Sequence, residues 1–191
     1  MRLFGAVEIT PALAGRIAAA GDELKRRALA CAPQARITWI PADRLHLTMR
    51  FIGEIEPDRL AEVSAALAPA LVTSVFELTV SGVDVFPGSG APRVLWAGLA
   101  GGADRLVVLE TDVSNRLAGC GVPRKDRRYR PHLTLARVRD TACLRAGMLL
   151  DGLIDRAFGR TLDAITLFGS RLSPRGPTYV PRQRTPLRGW V

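Results

Sequence analysis

Long hydrophobic runs are missing from this sequence. No apolar stretch approaches the roughly 20 residues that a membrane-spanning helix requires. Residues 1–8 carry charge early and lack the sustained apolar segment of a secretory signal peptide. We therefore expect a cytoplasmic protein that does not contact a membrane.

Cysteine is scarce, and its spacing argues against two common kinds of site. The three cysteines are Cys31, Cys120 and Cys143, an odd number without a C-x-x-C pair. This pattern disfavours a disulfide framework and a thiolate zinc site, so we expect reduced and mostly buried cysteines. The sequence also lacks the glycine-rich phosphate loops of nucleotide-binding proteins and the G-x-S-x-G turn of α/β-hydrolases.

Lysine is nearly absent, although the chain is strongly basic. Of 27 basic residues only Lys25 and Lys125 are lysine, and the formal net charge is +9. Arginine presents a planar fork of donors that fits phosphate oxygens, and a basic protein is attracted to polyanions such as nucleic acid. An arginine-rich composition can equally follow from a GC-rich genome or serve solubility.

Hydrophobic periodicity divides the chain into two halves that repeat one order of elements. Each half is predicted to run strand, helix, H-L-T strand, helix and strand. The first half uses residues 3–7, 11–30, 46–48, 57–71 and 75–86, and the second uses 94–99, 103–117, 132–134, 140–154 and 161–172. Short strands at 37–40 and 178–186 complete the prediction. We expect one α+β domain spanning 1–191, built from two similar lobes.

The only two histidines lie in matching motifs on two of these strands. Both motifs read H-L-T followed by an apolar residue. Because side chains alternate across a strand, His46, Thr48 and Arg50 are predicted to share one face. His132 and Thr134 are likewise predicted to share a face. Such polar faces require a solvent-filled cleft, because burying these groups without partners is costly.

Two histidines in equivalent positions suit acid–base catalysis at phosphorus. Imidazole titrates near neutrality, so one neutral ring can deprotonate the attacking oxygen while an imidazolium protonates the leaving oxygen. The hydroxyls of Thr48 and Thr134 can donate to non-bridging phosphate oxygens. A metal site is the alternative, but the nearby carboxylates of Asp43 and Glu54 lie before the first strand and beyond Gly53. We therefore expect no metal and no cofactor.

These motifs resemble those of the 2H phosphoesterase superfamily, in which two H-x-T-x motifs lie about half a chain apart. Flanking segments narrow the resemblance to its bacterial and archaeal RNA 2′,3′-cyclic phosphodiesterases, formerly known as 2′-5′ RNA ligases. The segments are R-L-F at 2–4, W-I-P at 39–41, L-H-L-T-M-R-F-I-G-E at 45–54, V-L-W-A-G-L at 94–99, R-P-H-L-T-L-A-R at 130–137 and L-F-G-S-R-L at 167–172. The resemblance covers nearly the whole chain.

The resemblance implies two lobes related by a pseudo-two-fold axis, each an antiparallel sheet with helices packed outside, around a basic central cleft. It implies metal-free hydrolysis of a terminal RNA 2′,3′-cyclic phosphate to a 2′-phosphomonoester, and we expect a monomer. By position, His46 donates a proton to the leaving 3′-oxygen, His132 activates water, and Thr48 and Thr134 hold the phosphate. Arg137 matches an arginine suited to phosphate, although strict alternation turns it away unless the strand bulges or ends there.

Three further residues are candidate substrate contacts. Arg50 lies on the face of His46 by alternation and could touch the RNA backbone, or it is a solvated charge at the rim. Tyr129 and Arg130 belong to a basic loop at 124–130 that could stack on and steer a terminal nucleotide, or the loop has no such role.

Other functions remain open from the sequence. Joining RNA ends through a 2′-5′ bond is the same chemistry in reverse, with a 5′-hydroxyl in place of water. A cyclic phosphate on a small nucleotide would use the same groups. A non-catalytic RNA-binding module would explain the basic charge but not two His-Thr pairs.

Overall fold

The structure, a computed structural model, describes residues 1–124, 128–141, 144, 158–173 and 176–189. Its helices are α1 (Pro11–Cys31), α2 (Leu60–Leu67) and α3 (Ala103–Gly119). Its strands are β1 (Arg2–Glu8), β2 (Arg36–Trp39), β3 (His46–Glu54), β4 (Leu71–Ser74), β5 (Phe76–Phe86), β6 (Val94–Gly101), β7 (Leu133–Asp140), β8 (Phe158–Leu162), β9 (Ala164–Ser173) and β10 (Gly176–Arg188). Single-turn helices at Ala42–Arg44 and Pro57–Arg59 precede β3 and α2.

The predicted long helices are confirmed where the structure describes them. α1 begins at Pro11, and the side chain of Thr10 caps it by accepting from the backbone N–H of Leu13 at 3.4 Å. The helix predicted at 57–71 is shorter, because a proline follows its last turn and β4 begins two residues later. The helix predicted at 140–154 falls almost wholly outside the described residues.

One sheet runs through both lobes in the order β4-β10-β9-β1-β3-β7-β6-β5-β8, and β2 pairs with β7. The recorded pairs are antiparallel, as expected, except that β10 and β4 run parallel. β3 and β7 meet at the centre through one bridging pair, Leu47 and Leu133. Further along, β7 pairs with β2 instead, so the two central strands separate and leave a cleft between the lobes.

The two lobes are not the two halves of the chain. β5 closes the first half but pairs with β6 and β8 of the second lobe. β9 closes the second half but pairs with β1 in the first lobe. Each half therefore gives its last strand to the sheet of the other, which ties the lobes together.

The sheet face opposite the cleft is buried. Leu13, Ile17 and Leu24 recur at helical spacing on the buried side of α1. Leu47 and Leu133 are both fully buried, so the central bridge belongs to the core. Because side chains alternate along a strand, the neighbours of these two leucines point into the cleft.

The structure tests only part of what we expect about membrane contact, the cysteines, location and oligomeric state. Within the described residues, no helix is both long and apolar enough to cross a membrane. Cys120 is buried as expected, whereas Cys31 at the end of α1 is exposed. Cys143 lies outside the described residues, and the cytoplasmic location and monomeric state stay predictions.

Candidate active site

Both histidines are held in the same way by the chain just before them. His46 Nδ1 lies 2.8 Å from the carbonyl oxygen of Arg44, and His132 Nδ1 lies 2.7 Å from that of Arg130. A carbonyl only accepts hydrogen bonds, so each Nδ1 carries the hydrogen. The Nε2 atom of each ring is therefore the one that can accept or donate a proton in a reaction.

The strand register brings the two His-Thr pairs together. The central bridge between β3 and β7 is antiparallel. This register sets His46 across from Thr134 and Thr48 across from His132, on the face opposite the buried leucines. All four side chains are half-buried. They form one patch around the pseudo-two-fold axis, with each threonine opposite the histidine of the other motif.

A β-bulge follows each threonine and reverses the alternation beyond it. The register with the neighbouring strand leaves Met49 as the extra residue on β3 and Leu135 as the extra residue on β7. Counted from each histidine, the fourth residue turns into the protein and the fifth returns to the cleft face. The fourth residues are Arg50 and Ala136, both buried, and the fifth are Phe51 and Arg137, both exposed.

The prediction that Arg50 shares the face of His46 is wrong. Its side chain is only 3% exposed, and its guanidinium donates to the carbonyl oxygen of Pro123. The same group lies 4.0 Å from the carboxylate of Glu110 on α3. The bulge at Met49 is the reason, because it turns Arg50 away from the cleft. Arg50 holds the segment that leads to the second motif and does not reach the cleft surface.

Arg137 reaches the cleft through the bulge on β7, which resolves the conflict with strict alternation. Its exposed side chain has no hydrogen-bond or ion-pair partner within the described part of the chain. Burial is the larger influence on the two neighbouring groups, lowering the pKa of His46 and raising that of Tyr179, and the charge of Arg137 lowers both. The guanidinium is therefore near both side chains, where it can hold phosphate oxygens.

The surroundings of His46 lower its pKa in the free protein. Burial lowers its pKa, because the imidazolium loses hydration in a half-buried position. The hydrogen bond to the Arg44 carbonyl acts in the opposite direction, and the charge of Arg137 adds to the lowering. A negative charge that enters the cleft would act in the opposite direction and raise the pKa of His46.

Aromatic side chains surround each imidazole. Around the first histidine, the rings of Phe4 and Tyr179 both lie 5.1 Å away between centroids, with Tyr179 edge-on. Around the second, Phe86 lies at 5.1 Å and Trp96 at 6.0 Å. These rings restrict how each imidazole can rotate. A cavity of about 160 Å³ opens beside the first histidine and is lined by Tyr179 and Arg44.

Tyr129 does not stack outward as predicted. Its hydroxyl donates to the carbonyl oxygen of Thr48 at 3.1 Å and lies 3.3 Å from Met49 Sδ, while its ring packs against the core. Tyr129, which lies just before the second motif in the chain, therefore supports the bulge on β3. Arg130 is exposed, and its main-chain carbonyl fixes the second histidine. Residues 125–127 of this loop lie outside the described part of the chain.

No metal centre accompanies the histidines within the ranges that the structure describes. There, no three side chains of His, Cys, Asp or Glu are grouped so that they could hold an ion. The groups that the described site offers to a substrate are imidazoles, hydroxyls, guanidiniums and aromatic rings.

Three contributors to the site escaped prediction from the sequence. Both motifs read R-x-H-L-T. The repeated arginine two residues before each histidine marks the position whose backbone carbonyl holds the ring, so the sequence did contain a signal for Arg44 and Arg130. Strict alternation from His46 puts Phe51 on the core face, because it takes no account of the bulge. Tyr179 had no local signal, since only the pairing of β10 with β9 brings it beside His46.

Comparison with known proteins gives consistent matches. A model of the 2′-5′ RNA ligase superfamily matches residues 13–159. An RNA 2′,3′-cyclic phosphodiesterase of Aeropyrum pernix is 33% identical over 139 residues, covering 72% of this chain and 78% of its own. A protein of the same name from Thermotoga maritima is 26% identical over 180 residues, covering 94% and 91%.

Solved structures match over nearly the whole chain. E. coli LigT complexed with 3′-AMP gives a TM-score of 0.72 at 23% identity and covers 97% of both chains. TT0787 of Thermus thermophilus gives a TM-score of 0.70 at 24% identity and covers 99% of both chains. These likenesses concern the fold, and they confirm the expected two-lobed architecture.

Proposed function

Because this chain belongs to the 2′-5′ RNA ligase superfamily, as its motifs predicted, we propose that it is an RNA 2′,3′-cyclic phosphodiesterase. The reaction opens a terminal 2′,3′-cyclic phosphate and leaves a 2′-phosphomonoester. The observation that carries the proposal is the shared cleft face of β3 and β7, where two imidazoles with occupied Nδ1 atoms alternate with two threonines. Relatives named for this activity support it.

The proposed chemistry is an in-line displacement that needs no metal. The oxygen of water bonds to phosphorus while the bond from phosphorus to the 3′-oxygen breaks. His132 takes the proton of the attacking water, and His46 gives its proton to the departing oxygen. The step ends with His132 protonated and His46 neutral, and exchange with solvent restores the starting state.

The remaining cleft groups stabilise the charge on phosphorus. Thr48 and Thr134 donate to non-bridging oxygens, and Arg137 offers its fork to the same anion. One well-placed donor of this kind typically contributes about 100- to 1,000-fold in kcat. The pKa of His46 is lowered in the free protein. The negative charge of the bound phosphate raises it again, so the substrate favours the protonated form of His46 that acts as the general acid.

The charge of the chain favours an RNA end over a small cyclic nucleotide. Phe51 is 49% exposed on the cleft face and offers a ring on which the terminal base of either substrate can stack. The net charge of +9 attracts a polyanion. Turnover of a cyclic oligonucleotide is therefore expected to exceed that of a cyclic mononucleotide.

Phosphorus NMR on a short RNA ending in a 2′,3′-cyclic phosphate tests the proposal. The purified protein in EDTA is expected to yield the 2′-phosphomonoester. A 3′-phosphomonoester would contradict the assignment of the leaving oxygen. Tight RNA binding without turnover would contradict catalysis and favour the binding-module alternative, and a joined product in the presence of a 5′-hydroxyl RNA would reveal ligation.

A further inference from the structure

Tyr179 stands in the first lobe beside His46. The residue lies on β10, two strands away from β1, and its ring rests against Phe4 at 5.0 Å between centroids. It meets His46 at 5.1 Å with an interplanar angle of 82°. Both Tyr179 and His46 line the same cavity, together with Arg44. Packing against two aromatic neighbours fixes the direction of the phenol.

The hydroxyl of Tyr179 has no hydrogen-bond partner in the part of the chain that the structure describes. The hydroxyl of the other tyrosine, Tyr129, donates to the backbone carbonyl of Thr48. Burial raises the pKa of Tyr179, so the phenol keeps its proton at neutral pH and remains a donor. A half-buried donor without a protein partner is suited to a ligand oxygen.

Two arginines lie near Tyr179. The charges of Arg137 and Arg44 both act on Tyr179, and that of Arg137 also acts on His46. Tyr179, His46 and Arg44 line the cavity beside the first imidazole, together with Glu8 and Asp43, and Arg137 acts on the first two from outside that lining. A phenol that keeps its proton, close to the charge of Arg137, is suited to an oxygen atom of an anion.

The second lobe lacks this hydroxyl among the rings recorded there. The aromatic neighbours of His132 are Phe86 and Trp96, neither of which carries a hydroxyl. The buried indole N–H of Trp96 has no partner among the described residues and is too enclosed to reach the cleft. The phenol therefore breaks the pseudo-two-fold symmetry of the cleft and marks the His46 side as different.

We propose that the Tyr179 hydroxyl is a catalytic group that donates a hydrogen bond to a non-bridging oxygen of the phosphate, beside Arg137 and on the side of the leaving 3′-oxygen. The inference rests on the proposed phosphodiesterase function. The phenol transfers no proton, and it strengthens its bond as negative charge grows on phosphorus. The same bond persists to the dianionic 2′-phosphomonoester, so Tyr179 also contributes to product binding.

The test is Tyr179→Phe, which keeps the ring edge against His46 and removes only the hydroxyl. We expect kcat/KM on a cyclic RNA end to fall about 10- to 100-fold. We expect the dissociation constant of a nucleoside 2′-monophosphate, measured by calorimetry, to rise about 10-fold. The urea midpoint of unfolding should stay at the wild-type value, whereas Tyr129→Phe should lower it, which separates a missing ligand contact from a loosened fold.

Two results would count against the inference, and they are distinguishable. Wild-type turnover with unchanged kcat/KM and product affinity in Tyr179→Phe would overturn the inference alone. Absence of turnover by the wild type would overturn the proposed function and the inference with it.

Discussion

At the scale of single residues, each imidazole takes its tautomer from one carbonyl oxygen two residues earlier. The Arg44 and Arg130 carbonyls hold the two Nδ1–H groups, and the Nε2 atoms are left for chemistry. An asparagine in place of either histidine keeps a donor near the Nδ1 position but has no group at Nε2. Such a substitution separates proton transfer from the local packing of the ring.

Removing the charge of Arg137 is expected to raise the pKa of His46, because that charge contributes to its lowering. Arg137→Ala should show the rise in an NMR titration, and it should lower kcat/KM by about 100-fold. Arg137→Lys is the matched control, since it keeps the charge and loses the fork. The His46 pKa should then stay lowered while kcat/KM remains reduced. An unmoved pKa in Arg137→Ala would show that the guanidinium is not near His46.

Phe51 is expected to contribute to binding of the terminal nucleotide. Stacking of a base on an aromatic ring is worth about 1–3 kcal/mol, so Phe51→Ala should raise KM for a cyclic oligonucleotide about 5- to 100-fold. Phe51→Tyr keeps a stacking ring and should remain near the wild type. Equal KM values for alanine and tyrosine at this position would rule out stacking.

Alternation predicted correctly which side chains of β3 and β7 face the cleft as far as the threonine of each motif. Beyond the threonines it failed. The alternation that placed His46 and Thr48 correctly failed at Arg50, because one inserted residue reverses every side chain beyond it. The bulge at Leu135 likewise turns Arg137 to the face that alternation alone denied it, and its role toward phosphate stays a prediction.

At the scale of elements, two hydrogen bonds hold the bulge on β3. Arg50 reaches the carbonyl of Pro123, and the hydroxyl of Tyr129 reaches the carbonyl of Thr48. Both contacts join β3 to the segment that leads into the second motif. The spacing of the two histidine strands therefore depends on these cross-lobe hydrogen bonds as well as on the single bridge between β3 and β7.

Tyr129→Phe is expected to lower the free energy of unfolding by about 1 kcal/mol, the usual value of one such hydrogen bond, because it leaves the Thr48 carbonyl without that partner. Urea unfolding followed by circular dichroism measures the change. Tyr179→Phe is the matched control, since its hydroxyl bonds to nothing in the described chain and its loss should leave stability unchanged. Equal stabilities for the two variants would contradict the bracing role of Tyr129.

At the scale of the whole molecule, the repeat of elements predicted two similar lobes but not their composition. The strand predicted at 161–172 is divided into β8 and β9, which pair in different lobes. In addition, β5 and β9 lie in the lobe opposite to their own half of the chain. Strand pairing depends on long-range packing, which the local pattern does not contain. The exchange buries both histidine strands at the centre of one sheet and gives the cleft its pseudo-two-fold symmetry.

Acid is expected to destabilise the fold through His46. Its pKa in the folded protein is lowered from 6.5, so the unfolded chain binds more protons and stability falls as pH drops through 6.5 and below. Above 6.5 the neutral ring is present in both states and this contribution is fully available. Urea midpoints between pH 7.5 and 5 measure the loss, and His46→Asn should show a shallower decline. Identical declines would mean that other groups govern the acid response.

The central claim is that two imidazoles exchange protons with one phosphate ester, and single-turnover rates on a cyclic RNA end in EDTA test it most directly. Wild type, His46→Asn and His132→Asn should be compared after circular dichroism confirms that all three are folded. We predict that each variant is slower by at least about 100-fold, the usual contribution of a general acid or base. A variant that turns over within about threefold of the wild type would contradict the acid–base pair.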